Sequence, residues 1–183
     1  AGAVEIEVDM LDDILESQGI KKFDFIKKYI GFEQNENHIS LENWIKTKED
    51  ADNDMLLQMD IEGGEYDVLI DTSSNTLAKF RIIIIEFHEF QKLLNPCSFD
   101  FIAACFNKLL KDFYVVHIHP NNCDVPFKSN EFEIPPVIEF TFLRKDRISN
   151  FSFQTDFPHK LDRKNVPYKK DFALPTCFYS QNS

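Results

Sequence analysis

Three acidic residues surround a pair of glycines directly after a hydrophobic run: Asp60, Glu62 and Glu65 around Gly63-Gly64, after Met55–Met59. A second hydrophobic run, Arg81–Phe87, carries Glu86 near its end and is followed by His88. Carboxylates and an imidazole can move protons or bind cations. If the two runs are neighbouring strands, a strand spacing of about 4.8 Å brings these groups to one rim of a sheet.

His88 is our first candidate for a general base, because an imidazole titrates near neutral pH, and Asp60 is the second. Glu86 would face the same site from the neighbouring strand. A divalent cation such as Mg²⁺ or Mn²⁺ is an alternative, and it would indicate a metal-dependent hydrolase or transferase. Its ligands would be Asp60, Glu62, Glu86 and His88. Helix capping and plain turn chemistry could also explain the acids and the paired glycines.

The elements that must position these residues alternate between strand and helix patterns. We predict strands at Val4–Val8, Phe23–Ile30, Met55–Met59, Arg81–Phe87, Tyr114–Ile118 and Val137–Leu143. We predict helices at Met10–Gln18, Leu41–Lys46, Glu65–Ile70, Thr76–Phe80 and from Ser98 to Phe113. Four consecutive isoleucines, Ile82–Ile85, cannot alternate in and out of water, so both faces of that strand should be covered. The order predicts a Rossmann-like, doubly wound, mostly parallel α/β sheet with helices on both faces and a last, antiparallel strand at or near its edge.

Length, charge and cysteine spacing restrict the class of protein. A chain of 183 residues suits one domain, and we expect a core at 1–148 with an extended tail, 149–183, packed on it. The formal charge of −11 argues against a nucleic-acid binder, which needs a basic face. No apolar run approaches the roughly 18 residues of a membrane span. Four widely spaced cysteines without a C-x-x-C pair indicate a reducing, cytoplasmic setting.

Two more polar residues, His119 and Asn121, stand at the end of a predicted strand. Strand alternation puts His117 and His119 on the same side. We take His119 and Asn121, together with Glu65, as candidate substrate contacts. The alternative for the histidines is structural, with one partly buried and one exposed at a strand end.

Three stretches resemble the FkbM-type methyltransferase family: Ile39–Ile45 (ISLENWI), Leu56–Leu69 (LLQMDIEGGEYDVL) and Ile84–His88 (IIEFH). Pro135–Leu143 and Phe157–Asn165 also resemble the closing strand and tail of some members. The resemblance implies a Rossmann-like, S-adenosylmethionine-dependent O-methyltransferase that acts on a hydroxyl of a sugar, glycan or small metabolite.

The resemblance also implies roles for individual residues. Asp60 would lie beside cofactor and substrate, and Glu62 and Glu65 would shape that pocket. Glu33 would contact the adenine region, and Asp9 the ribose hydroxyls.

One expected part of the family pattern is missing. The first strand and the glycine-rich loop that hold the amino-acid end of the cofactor should precede Val4, and Gly2 is the single glycine there. We therefore expect a domain shortened at its N-terminus that binds the cofactor poorly. A non-catalytic binding module is the further alternative.

Overall fold

A computed structural model of the protein describes residues 25–48, 54–128, 133–154, 157–175 and 178. The described strands are β1 (Tyr29–Ile30), β2 (His38–Ile39), β3 (Met55–Met59), β4 (Phe80–Phe87), β5 (Phe113–Pro120), β6 (Phe127–Lys128), β7 (Glu133–Ile134) and β8 (Ile138–Arg144). The described helices are α1 (Leu41–Lys46), α2 (Glu65–Asp71), α3 (Ser74–Leu77) and α4 (Pro96–Asp112). Short 3-10 helices follow β4 at Phe90–Leu94 and β8 at Lys145–Arg147. The predicted strand Val4–Val8, the predicted helix Met10–Gln18 and Asp9 lie outside the described residues.

The main sheet has the strand order β3-β4-β8-β5. β3 pairs with β4 in parallel, whereas β8 is antiparallel to both β4 and β5. The α/β class is therefore confirmed, but this sheet is mixed. The last strand is antiparallel and near the edge of this sheet, as predicted, because β8 lies between β4 and the edge strand β5. The alternating side chains of β8 suit an inner position, since Phe140 and Phe142 are almost fully buried and pack on Phe106 of α4.

The isoleucine run of β4 is less completely covered than its composition predicts. Ile83 and Ile85 are fully buried, but Ile82 and Ile84 are only half-buried. The buried face belongs to the same hydrophobic core as the inner sides of α2 and α4, which contribute Leu69 and Leu109. Each such side chain contributes about 1.5–3 kcal/mol on burial. This packing fixes the position of β3 and β4, whose carboxyl ends lie side by side at the same end of the sheet.

The helix after β4 begins earlier than predicted. Asn95, and not Ser98, caps α4, and its side-chain oxygen accepts a hydrogen bond from the Cys97 amide at 2.9 Å. Pro96 occupies the first turn, where its missing N–H costs nothing. Phe113 leaves the helix and begins β5. The helix α1 has the predicted bounds, and Ser40 caps it by accepting a hydrogen bond from the Asn43 amide at 3.3 Å.

Two other predicted boundaries are wrong. The described part of the predicted strand Phe23–Ile30 is a strand only at Tyr29–Ile30, where it forms a two-residue parallel pair with β2. The predicted helix Thr76–Phe80 is shifted toward the N-terminus, because Phe80 already pairs with Met55 as a strand residue. No helix within the described ranges has the length and apolar character needed to cross a membrane.

The segment after β8 contacts the sheet through polar side chains of β5 and of the residues that follow it. His117 lies 3.0 Å from the Asp162 carboxylate. Asn122 is 1% exposed and exchanges hydrogen bonds with the backbone of Val166 at 2.8 and 3.1 Å. These contacts position the tail beside the end of β5.

Candidate active site at the ends of two parallel strands

The residues between β3 and α2 form a tight turn in an uncommon backbone conformation. Glu62 has a φ of 56° and Gly63 a φ of 109°, both in the left-handed region. Glycine adopts that region without strain, whereas a side chain makes it costly. As a result, the amides of Ile61 and Gly63 both point at one carboxylate oxygen of Glu65, at 3.1 Å each.

The carboxylate at the start of α2 is completely buried. Glu65 is 0% exposed, and the same oxygen, Oε1, lies 3.0 Å from Nδ1 of His88. A negative group at a helix N-terminus is also favoured by the helix dipole. Glu65 therefore lies on the Nδ1 side of the His88 ring, away from the exposed carboxylates of Asp60 and Glu62.

The His88 ring presents its other nitrogen to three carboxylates. Nε2 lies 3.5 Å from Glu62 Oε2, 3.8 Å from Asp60 Oδ1 and 3.9 Å from Glu86 Oε2. Burial lowers the pKa of His88, but the hydrogen bond to Glu65 and the charges of Glu65, Glu62 and Glu86 outweigh it and raise the pKa above its ordinary value. The ring is thus a base whose protonated form is favoured by its surroundings.

The backbone beside this ring is also held. The Tyr66 hydroxyl donates a hydrogen bond to the His88 carbonyl at 3.1 Å, and burial raises the pKa of that hydroxyl, which keeps it a donor. Glu89, which follows, has a φ of 54°, so the chain turns sharply away from the sheet. Tyr66 was not predicted from the sequence, although an aromatic residue with a polar end, two residues after Gly64, was a usable signal.

Glu86 is fixed from the neighbouring segment. Asn121 donates to Glu86 Oε1 at 2.8 Å and is 9% exposed. Burial raises the pKa of Glu86, against the lowering effect of this hydrogen bond. Glu86 on β4 is paired with Glu139 on β8, and Glu139 is paired with His119 on β5. The three side chains therefore form a cross-strand row on one face of the sheet. Glu139 was missed, although alternation along the last strand places it on that face.

The structure thus brings together most of the predicted site residues. Asp60, Glu62, Glu65, Glu86 and His88 form one cluster, which we call the rim cluster, and Asn121 contacts it. His119 lies two strands from Glu86 in the cross-strand row. Glu33 lies in the loop between β1 and β2, where its carboxylate accepts a hydrogen bond from Asn35 at 3.0 Å. Asp9 lies outside the described residues.

The rim cluster has donor atoms that suit a cation. Asp60, Glu86 and His88 each offer one atom, and these atoms lie within 4.8 Å of one another. The Asp60 and Glu62 side chains are 51% and 70% exposed, so this side of the rim cluster faces solvent and carries negative charge. Such a site can attract a positively charged ligand and take a proton from a hydroxyl.

One comparison with known proteins gave a match. Residues 29–118 match the family model of the methyltransferase FkbM domain. The matched segment includes every residue of the rim cluster, and Asn121 lies just beyond it. No curated protein and no solved structure is significantly similar to the chain.

Proposed function

Through residues 29–118 the chain belongs to the FkbM methyltransferase family, and from this premise we propose that it transfers a methyl group from S-adenosylmethionine to a hydroxyl of a sugar, glycan or small metabolite. The observation that carries the proposal is the rim cluster, in which Nε2 of His88 faces three carboxylates at the ends of adjacent parallel strands. Ligands of α/β sheets bind at the carboxyl ends of the strands.

The open acidic side of the rim cluster fits a positively charged cofactor. S-adenosylmethionine supplies an electrophilic methyl group on a sulfonium. The exposed carboxylates of Asp60 and Glu62 would lie beside that positive charge and accept hydroxyl donors of the bound molecule. Glu33 would contact the adenine region and Asp9 the ribose, as the family resemblance implies.

The acceptor hydroxyl needs a residue that takes its proton. We assign that role to His88, whose Nε2 faces three carboxylates and whose raised pKa makes the ring a stronger base. Asp60 is the second choice. Glu86, held by Asn121, would orient the acceptor beside the ring, and His119 would extend the contact along the cross-strand row. Holding the two reactants aligned can itself lower the activation barrier by about 7–11 kcal/mol.

The test uses the natural full-length protein, S-adenosylmethionine with a labelled methyl group, and a panel of sugars, glycans and small alcohols. Replacing His88 by Ala should lower turnover by about 10²–10⁴-fold, while calorimetry shows nearly unchanged affinity for the cofactor. His159→Ala is the matched control, because His159 lies in the tail, where its Nδ1 accepts a hydrogen bond from the Leu161 amide at 3.3 Å. Unchanged turnover in His88→Ala would remove His88 as the base, and absence of cofactor binding by the full-length protein would contradict methyl transfer.

A second candidate function is a hydrolase or transferase that depends on a divalent metal. It is favoured by one observation, the mutual distances within 4.8 Å of one donor atom each from Asp60, Glu86 and His88. Titration of the protein with Mn²⁺ in a calorimeter separates the two functions. Tight metal binding without cofactor binding would favour the hydrolase, whereas cofactor binding in the presence of a chelator would favour methyl transfer.

A further inference from the structure

Glu65 differs from the other acids of the rim cluster in its burial. It is 0% exposed, whereas Asp60 is 51% and Glu62 is 70% exposed. A carboxylate without solvent access cannot contact a substrate that approaches from the solvent. Its role must therefore be exerted through the residues it contacts.

The contacts of Glu65 identify it as a hydrogen-bond acceptor. Oε1 receives the amides of Ile61 and Gly63 at 3.1 Å each, so this atom is an oxygen that accepts and does not donate. The same atom lies 3.0 Å from Nδ1 of His88. Because two groups that both accept cannot share a hydrogen bond, Nδ1 must carry the proton. In the neutral ring, Nε2 then has the free lone pair.

From this geometry we propose that Glu65 is a positioning residue that holds His88 in the Nδ1–H tautomer, with the unprotonated Nε2 turned toward the acceptor hydroxyl. The inference rests on the proposed methyl transfer for its catalytic meaning, but the tautomer itself can be measured without activity. It also replaces the direct substrate contact that the sequence suggested for Glu65.

The glycine turn explains why the acids and glycines have this spacing. The left-handed backbone at Glu62 and Gly63 turns two amides onto one oxygen of Glu65, which fixes that oxygen before the ring is added. The next residue, Tyr66, fixes the His88 carbonyl. Consecutive residues at the start of α2 therefore hold the ring and the backbone of the same histidine.

The proton balance of the step is simple. The O–H bond of the acceptor breaks as an Nε2–H bond forms on His88, and the oxygen keeps the electron pair with which it takes the methyl group. His88 becomes an imidazolium with both nitrogens protonated. Glu65 keeps accepting from Nδ1–H and takes up no proton, so it stabilises the cation by its position. In serine proteases, loss of the equivalent orienting carboxylate lowers kcat by about 10⁴-fold because the ring adopts the wrong tautomer.

Two substitutions separate the acceptor function of Glu65 from its charge. In Glu65→Gln the two amides should keep a carbonyl oxygen in place, and the carboxamide nitrogen would take the site of Oε2, which has no hydrogen-bond partner in the described part of the chain. The tautomer should survive in this variant. In Glu65→Leu no acceptor remains, and the ring should shift toward the Nε2–H tautomer that free histidine prefers. Glu62→Gln is the matched control, because Glu62 faces Nε2 and not Nδ1.

The measurement is the long-range proton–nitrogen correlation spectrum of ¹⁵N-labelled full-length protein at a pH above the titration of His88, with its signals assigned by loss in His88→Gln. We expect the Nδ1–H pattern in the wild type, in Glu62→Gln and in Glu65→Gln, and the Nε2–H pattern in Glu65→Leu. In the methylation assay Glu65→Leu should lose at least about 10²-fold in kcat with KM for the cofactor within about threefold, and Glu65→Gln should recover part of this loss.

The inference has a clear contrary result. An Nε2–H pattern in the wild type, or an Nδ1–H pattern in a folded Glu65→Leu protein, overturns it. If Glu65→Leu fails to fold, the comparison moves to Glu65→Gln, where an Nε2–H pattern would overturn the acceptor role. If no acceptor is methylated but the spectra are as expected, the positioning role stands and the proposed function fails.

Discussion

Replacement of Asn122 by Ala should release the tail from the end of β5. The Asn122 side chain is 1% exposed, and its oxygen accepts from the Val166 amide at 2.8 Å. Its nitrogen donates to the Val166 carbonyl at 3.1 Å and to an Asp171 oxygen at 3.3 Å. The change removes all three hydrogen bonds between this side chain and the tail.

The expected loss follows from these bonds. The two bonds to Val166 are worth about 1 kcal/mol each, and the longer one to Asp171 adds less, so the attached tail loses about 2 kcal/mol. Since about 1.4 kcal/mol is a factor of ten, the detached population should rise by roughly 30-fold. The pair between His117 and Asp162, at 3.0 Å, and the burial of Leu174 in the core remain, so the tail still has other attachments.

Limited trypsin digestion measures this population. The tail carries exposed basic residues, at Lys160, Arg163, Lys164 and Lys169. When reattachment is faster than cleavage, the cleavage rate follows the detached fraction. Asn122→Ala should be cut in the tail about 30 times faster than the wild type, with the cut sites identified by mass spectrometry.

Asn121→Ala is the matched control, because Asn121 bonds to Glu86 and to the Cys123 amide and to no tail residue in the described chain. Its tail should be cut at nearly the wild-type rate. A change of less than about threefold in Asn122→Ala would refute the estimate. Equal cleavage of tail and core strands would show that the whole domain unfolds and that the tail is no separate unit.

Three further predictions concern stability, measured by urea unfolding. Gly63→Ala should destabilise the protein by about 1–3 kcal/mol because its φ of 109° strains any side chain, whereas Gly31→Ala, with no heavy atom within 4 Å of the added carbon, should change little. Because the pKa of His88 is raised in the folded state, its stabilising contribution is fully present below the unfolded value of about 6.5 and is lost as the pH rises through the folded value. The advantage of the wild type over His88→Gln should therefore be larger at pH 6 than at pH 9, and equal differences would contradict the charge effect. Phe142→Ala, which empties a fully buried site, should cost about 3–5 kcal/mol, against less than about 1 kcal/mol for the half-exposed Phe127→Ala; a cost for Phe142→Ala near that of Phe127→Ala would mean the core can collapse around the gap.

The rim cluster could be predicted from the sequence because its residues follow strong local patterns. Two hydrophobic strands end in acids and a histidine, and parallel neighbours place such ends at one rim. The observed register agrees, since Met59 pairs with Ile85 directly before the cluster. Residue type and strand order were sufficient here.

The predictions about the fold fall short where strands that pair are far apart in the chain. The antiparallel direction of the last strand was predicted, but only the ladder with both β4 and β5 shows that it is an inner strand. A local sequence pattern does not specify which two strands a given strand will pair with. The start of α4 is different, because Asn95-Pro96 is a readable cap and first-turn signal that the apolar spacing of the helix obscured.

The two segments that complete the rim cluster are built alike. Glu65 holds the ring of His88 while Tyr66 holds its carbonyl, and Asn121 holds Glu86 while Asn122 holds the tail. Within each pair a single planar peptide joins the two residues, so a shift of one moves the other. The geometry of the rim cluster thus depends on the packing of α2 and on the docking of the tail. The tail itself contributes no side chain to the rim cluster. The partners are 22 to 44 residues apart in the chain. This distance is why local patterns named Glu65 and Asn121 only as candidate substrate contacts, and missed Tyr66 and Asn122.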